Sequence, residues 1–144
     1  MTNEGAPIGL IIVSHGKYAS SILHTAESLL GSQSDCVSIS VDSAHESEEA
    51  VRRLHDAADI LDKGKGVIIL TDMFGGTPTN IALSLQAEHK AEVITGINLP
   101  MILKVMENRG CASLEELAKM AEEAGKAGIV GAGRILRQKK QTVQ

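Results

Sequence analysis

Apolar and polar positions alternate along this chain in two kinds of segment. Ile8 to Val13 reads IGLIIV, a short apolar run rich in β-branched residues, and Val67 to Leu70 and Val93 to Thr95 are shorter runs of the same type. Such runs, bounded by polar residues, mark parallel strands covered on both faces. Cys36 to Val41 differs. Val37, Ile39 and Val41 alternate with Ser38 and Ser40, the period-two pattern of a strand with one face less covered, which places it at the edge of the sheet. The stretches Tyr18 to Leu30 before Gly31, Glu46 to Leu61 before Gly64, and Asn80 to Ala87 are amphipathic and read as helices. Ser43 with Glu46, and Ser113 with Glu116, each match a capping box that fixes a helix start. After the fourth strand the pattern predicts helices from Pro100 to Asn108 and from Leu114 to Ala124, a last strand from Ile129 to Leu136, and a frayed polar tail.

Strands alternating with helices of this length predict an α/β fold, because parallel neighbours need a right-handed helical crossover. The expected architecture is a doubly wound, mostly parallel sheet of order 2-1-3-4 with helices on both faces. No internal repeat, linker or second domain interrupts it, so residues 1–136 are read as one domain and 137–144 as the tail. The length of 144 residues suits a single core.

Composition narrows the function. Apolar residues make up 43% and charged residues 22%, an ordinary globular balance. Tyr18 and Phe74 are the aromatic residues, and the formal net charge is -4; both argue against a nucleic-acid platform, which stacks bases on rings amid positive charge. No apolar run reaches the length of a membrane span, and Met1-Thr2-Asn3-Glu4 lacks the basic start of a signal peptide, so a cytoplasmic location is expected. Cys36 and Cys111 have no paired spacing and read as inert thiols. His24, His45, His55 and His89 are scattered without the spacing of a metal site, so no metal and no other cofactor is expected. Gly128, Gly131 and Gly133 lie beside the last predicted strand and not between a strand and a helix, which argues against a nucleotide loop.

In a sheet of this order the chain leaves strand 1 in opposite directions for strands 2 and 3, and a crevice opens at their carboxyl ends. Ser14-His15-Gly16 follows strand 1, and Asp72-Met73-Phe74-Gly75-Gly76-Thr77-Pro78 follows strand 3, so both polar loops arrive there. A histidine held by a carboxylate has its tautomer fixed, with one nitrogen donating to Asp72 and the other free to attack phosphorus. Gly75 and Gly76 allow close backbone approach to a phosphoryl group, and Ser14 and Thr77 are further candidate contacts. Thr77 reads as an N-cap and Pro78 as the first helical residue, which makes this a helix N-terminus suited to an anion. Taken alone, Gly75 to Pro78 equally describes a tight turn, and His15 a structural histidine.

Four blocks together carry more. Val13-Ser14-His15-Gly16, then Thr25-Ala26-Glu27 with Leu29-Leu30-Gly31, then Asp72 to Asn80, then Thr95-Gly96-Ile97-Asn98-Leu99-Pro100-Met101 occur in an order and spacing that resemble the IIA domains of the mannose/fructose/sorbose class of the bacterial sugar phosphotransferase system, from about Ile8 to Ile129. The resemblance implies that His15 receives a phosphoryl group from the phosphocarrier protein HPr, that Asp72 positions it, and that a IIB protein is the next acceptor. Since the sequence ends at residue 144, that acceptor is expected as a separate protein, and contact with the membrane only through the transporter complex. Pro78, Asn80, Asn98 and Pro100 fall in the matching blocks and are assigned to supporting loops. The resemblance also implies an antiparallel strand near the C-terminus, a role for Ile129 to Leu136, and a homodimer that exchanges it. Lys17 stands at a position where the family has no fixed residue; it either stabilises phosphate or sits in solvent, and solvent is the reading favoured. A phosphatase would need a second acid and a phosphate-clamping arginine, and no arginine lies near either loop in sequence. A regulatory module that senses phosphorylation without sugar transport would use the same His15 and Asp72.

Overall fold

The computed structural model describes residues 5–142. The N-terminal four residues, read above for a signal peptide, and the last two of the tail lie outside the described residues. Four strands, β1 (Gly9–His15), β2 (Cys36–Val41), β3 (Val67–Thr71) and β4 (Ala91–Thr95), form one sheet in the order β2-β1-β3-β4. Each neighbouring pair is parallel, with Leu10 opposite Cys36 and Ile68, and Ile69 opposite Val93. The expected order and the edge position of β2 both hold.

The helices are α1 (Tyr18–Leu30), α2 (Ser47–Leu61), α3 (Thr77–Gln86), α4 (Leu99–Asn108), α5 (Leu114–Ala127) and α6 (Ala132–Thr142). The two faces of the sheet bury separate cores, as the period of two in a strand requires. Leu10, Ile12, Ile68 and Leu70 point to the side covered by α1, α4 and α5, where they meet Ala26, Ile102 and Leu117. Ile11, Val13 and Ile69 point to the other side and pack with Leu54, Ala58 and Leu85 of α2 and α3. Because both faces of β1 and β3 are covered, their sequences read as unbroken apolar runs.

The capping box at Ser113 forms: its hydroxyl accepts from the Glu116 N–H at 3.2 Å, and the Glu116 carboxylate accepts from the Ser113 N–H at 3.0 Å. The one expected at Ser43 is displaced. A 3-10 turn over Ala44–Glu46 precedes α2, and the Glu46 carboxylate reaches back to the N–H of Asp42 at 3.1 Å, one residue before Ser43.

The last strand expected from Ile129 to Leu136 is not formed. The chain turns after α5 and enters α6 at Ala132, and residues 137–142 of the expected tail complete this helix. The apolar pairs Ile129-Val130 and Ile135-Leu136 suggested a strand, but Arg134, Leu136, Arg137, Gln138, Lys139 and Lys140 are all good helix formers. A helix also satisfies its backbone N–H and C=O groups internally, whereas a lone strand needs a neighbour. No residue of α6 is buried.

Arg109, just past α4, is a buried charge at 4% exposure that the sequence pattern did not flag. Its guanidinium donates to the carbonyls of Ile8 and Asp35, each at 3.2 Å, to the Ser34 carbonyl, and to Gln33 Oε1 at 3.3 Å. It thereby ties the start of β1 to the turn before β2. Arg109→Leu leaves several of these acceptors unsatisfied, and we expect a loss of about 2–4 kcal/mol in unfolding free energy, measured by urea denaturation. No helix among the described residues is long and apolar enough to cross a membrane.

Candidate active site

Parallel pairing of β1 with β3 brings the carboxyl ends of both strands together, with Val13 opposite Thr71. His15 closes β1 and Asp72 follows β3, so the two meet across the sheet. The Asp72 Oδ2 atom accepts from the backbone N–H of His15 at 2.9 Å and lies 2.6 Å from Nδ1 of its imidazole. The other oxygen, Oδ1, accepts from the N–H of Met73 at 2.9 Å. An ionised carboxylate has no proton to give, so Nδ1 carries a hydrogen, and in the neutral form of the ring Nε2 is the nitrogen with the lone pair. The imidazole is 52% exposed and the Asp72 side chain 16%, which puts the ring at the surface with the carboxylate behind it.

Burial of Asp72 opposes its charged form, but the backbone and imidazole donors of His15 and the N–H of Met73 outweigh it and hold the carboxyl below its ordinary pKa of 3.8. The bonds that align His15 therefore also keep its partner ionised.

Gly75 adopts φ +83°, a left-handed backbone that a residue with a Cβ resists, and this turns the loop into α3. Gly76 is the N-cap of α3, with Thr77 and Pro78 in its first turn. The expected cap, Thr77, is therefore one residue inside the helix and exposed, while Pro78 is buried. A Cβ on Gly76 would stand 3.0 Å from Cε1 of His15, so this glycine leaves room for the imidazole. The first N–H groups of a helix have no intrahelical acceptor and point out of its N-terminus.

Ser14 is buried, and its hydroxyl donates to the His15 carbonyl at 3.0 Å and accepts from the Ala19 N–H at 2.7 Å. It joins β1 to α1 and is turned to the protein, not to solvent. Asn80 is exposed on α3. Asn98 caps α4 by accepting from the Met101 N–H at 3.0 Å and donates to the Gly125 carbonyl at 2.9 Å. Pro100 lies in the first turn of α4, against Gly128, whose Cβ would come within 2.6 Å of the ring. Lys17 is exposed at the N-cap of α1.

Four supporting residues escaped the sequence reading. The Thr79 hydroxyl donates to the Met73 carbonyl at 2.6 Å and, with its hydrogen so used, accepts from the buried Thr71 hydroxyl at 2.7 Å. This pair clamps the 72–76 loop onto α3. Tyr18 donates to the Ile97 carbonyl at 2.8 Å, and Ser40 of β2 to the Gly16 carbonyl at 2.6 Å. A threonine at each end of the loop is a signal of sorts, but the pairing needs the fold. The fold also gathers His55, Glu88 and His89, which the sequence spacing had kept apart.

The family model described as the fructose IIA component of the phosphotransferase system matches residues 9–122. The mannose-specific EIIAB component of Escherichia coli K12 is 35% identical over 125 residues, which is 85% of this chain but 38% of that protein. This chain thus spans well under half of that relative. The fructose-specific EIIA component of Bacillus subtilis is 27% identical over 111 residues, covering 76% of both chains. The crystal structure of an EIIA component from Streptococcus agalactiae superposes with a TM-score of 0.80 at 28% identity, covering 88% of this chain and 98% of that one. A fold, a histidine–aspartate pair and a family match over most of the chain agree: the protein belongs to the mannose/fructose/sorbose-type IIA components of the phosphotransferase system.

Proposed function

We propose that this chain is a phosphocarrier that accepts a phosphoryl group from phosphorylated HPr on Nε2 of His15 and passes it to a separate IIB protein in the cytoplasm. The observation that carries this reading is the 2.6 Å contact between His15 Nδ1 and Asp72, which leaves Nε2 as the free nitrogen. In the forward step the Nε2 lone pair forms a bond to phosphorus while the bond from phosphorus to HPr breaks, its electrons returning to HPr. The positive charge that develops on the imidazole is stabilised by Asp72, which keeps the Nδ1 hydrogen bond. Backbone N–H groups at the start of α3 receive the phosphoryl oxygens, since they do not compete as nucleophiles. Transfer to IIB is the same exchange in reverse.

Exposure favours a protein partner over a small substrate. Phe74 is 80% exposed and Met73 57%, next to an imidazole that is itself half open to solvent. Such an apolar rim suits docking of another protein surface. The uncovered Ile129, Val130, Ile135 and Leu136 support association of two copies through the C-terminal segment, which light scattering on the purified chain measures.

Incubation with phosphoenolpyruvate, enzyme I and HPr, followed by intact mass, tests the phosphocarrier reading. One acid-labile phosphate per chain, discharged by a IIB protein, is the expected result; a stable phosphate ester or no uptake contradicts it. Gly76→Val would push the imidazole from its place while Gly76 keeps an ordinary φ of -85° for any residue. We expect phosphorylation at least ~10-fold slower in this variant with an unchanged melting profile, because small misplacements of a reacting atom cost that much or more.

A further inference from the structure

At the amino end of the sheet, away from His15, three metal-ligating side chains converge. His55 lies on α2, and Glu88 and His89 lie in the turn between α3 and β4. One ligand atom of each falls within 4.8 Å of the others. Nδ1 of His55 is 3.7 Å from Glu88 Oε2, too far for a hydrogen bond. The two imidazoles stand edge to face with centroids 5.2 Å apart. The turn is held by its backbone, since the N–H groups of Glu88 and His89 both donate to the Leu85 carbonyl at 3.0 Å.

A second observation concerns His89 itself. Its Nε2 lies 2.9 Å from Asp59 Oδ1, which places a hydrogen on Nε2, and in the neutral ring Nδ1 is then the atom with the lone pair. That Nδ1 atom is buried and has no hydrogen-bond partner. A buried acceptor left unpaired is unfavourable, and an electron-pair acceptor such as a metal ion would satisfy it. Asp59 is one turn along α2 from His55, so the same helix face supplies a ligand and the carboxylate that orients the second ligand. A carboxylate holding the far nitrogen of a ligating histidine is the usual outer partner of a metal site.

We propose that His55, Glu88 and His89 bind a divalent transition-metal ion of the zinc type, with Asp59 as the outer carboxylate that orients His89. Two imidazoles and one carboxylate suit zinc and its neighbours, whereas magnesium and calcium prefer all-oxygen sets. Tetrahedral zinc sets its ligand atoms about 3.3 Å apart, so the donors have to close inward. Glu88, 70% exposed, is free to swing, and His55 sits at the surface of α2 with 26% exposure. The remaining position is open to water.

Titration of the chelator-treated full chain with zinc alone, followed by calorimetry and by the absorption of a cobalt-substituted sample, tests this. One ion per chain is expected, with binding unchanged in His15→Ala and weakened about 10–100-fold in His55→Gln, His89→Gln and Asp59→Asn. Glu88→Gln alters an exposed side chain without touching the packing, and a weakening of about 10-fold or more is expected there too. Absence of saturable binding overturns the proposal, as does binding that survives His55→Gln and Glu88→Gln or disappears in His15→Ala.

Discussion

His15→Ala takes up no acid-labile phosphate from phosphorylated HPr, and this is the largest effect the structure leads us to expect. The variant removes the half-exposed imidazole whose Nδ1 faces Asp72, and nothing else in the β1–α1 loop replaces it: Ser14 is buried and spent on Ala19 and His15 backbone groups. The fold should persist. The His15 side chain is half exposed, and Asp72 keeps the N–H groups of residue 15 and Met73 as donors, so we expect a stability loss of no more than about 1–2 kcal/mol by thermal melting. Labelling of the variant at the wild-type rate would move the acceptor elsewhere in the chain.

Asp72→Asn is expected to slow phosphorylation by about 10²–10⁴-fold while leaving the fold intact, by analogy with other carboxylates that orient a reacting histidine. Both oxygens of Asp72 are acceptors, Oδ2 for two groups of His15 and Oδ1 for the Met73 N–H. An amide satisfies only one side. With its oxygen toward His15, the NH₂ group faces the Met73 N–H. With its NH₂ toward His15, it opposes the backbone N–H and donates to Nδ1, which moves the ring proton to Nε2 and removes the nucleophile. In both arrangements the charge that balances the imidazolium is gone. A rate equal to wild type, measured by quenched-flow labelling, would leave Asp72 as a turn residue.

The same carboxylate sets a pH dependence. Since Asp72 is held below its ordinary pKa of 3.8, its contribution to stability is complete above that pH and is lost as pH falls through the lower folded value. Denaturation of wild type and Asp72→Asn should therefore converge in acid and separate above about pH 4. A constant difference across this range would contradict the assignment.

The parallel strands were legible because β1 and β3 are buried on both faces, and burial on both faces leaves an unbroken apolar run in the sequence. The meeting of His15 and Asp72 was legible for a related reason: loops after strands 1 and 3 of a doubly wound sheet share one end, so topology brings the two residues together. Single hydrogen bonds were not. The sequence points to Thr77 as the helix cap, and only the position of Thr71 reveals Thr79 as the residue that ties down the loop. Nothing in the pattern around Arg109 marks it as buried, because its partners lie 74 to 101 positions away, among carbonyls that carry no sequence signal. Residues 129–136 were misread because period alone does not separate two apolar pairs of a strand from one stripe of a short helix. The approach of His55, Glu88 and His89 was not legible because the crossover, not their spacing, brings them together.

On the mechanism proposed above, Nε2 of His15 is the atom that carries phosphorus. Nitrogen-15 and phosphorus-31 NMR of the phosphorylated, histidine-labelled chain reads this directly through one-bond coupling. Coupling between phosphorus and Nε2 of His15, with the Nδ1 proton still present, is the result expected. Coupling to Nδ1, or to a nitrogen of any other histidine, would contradict the account.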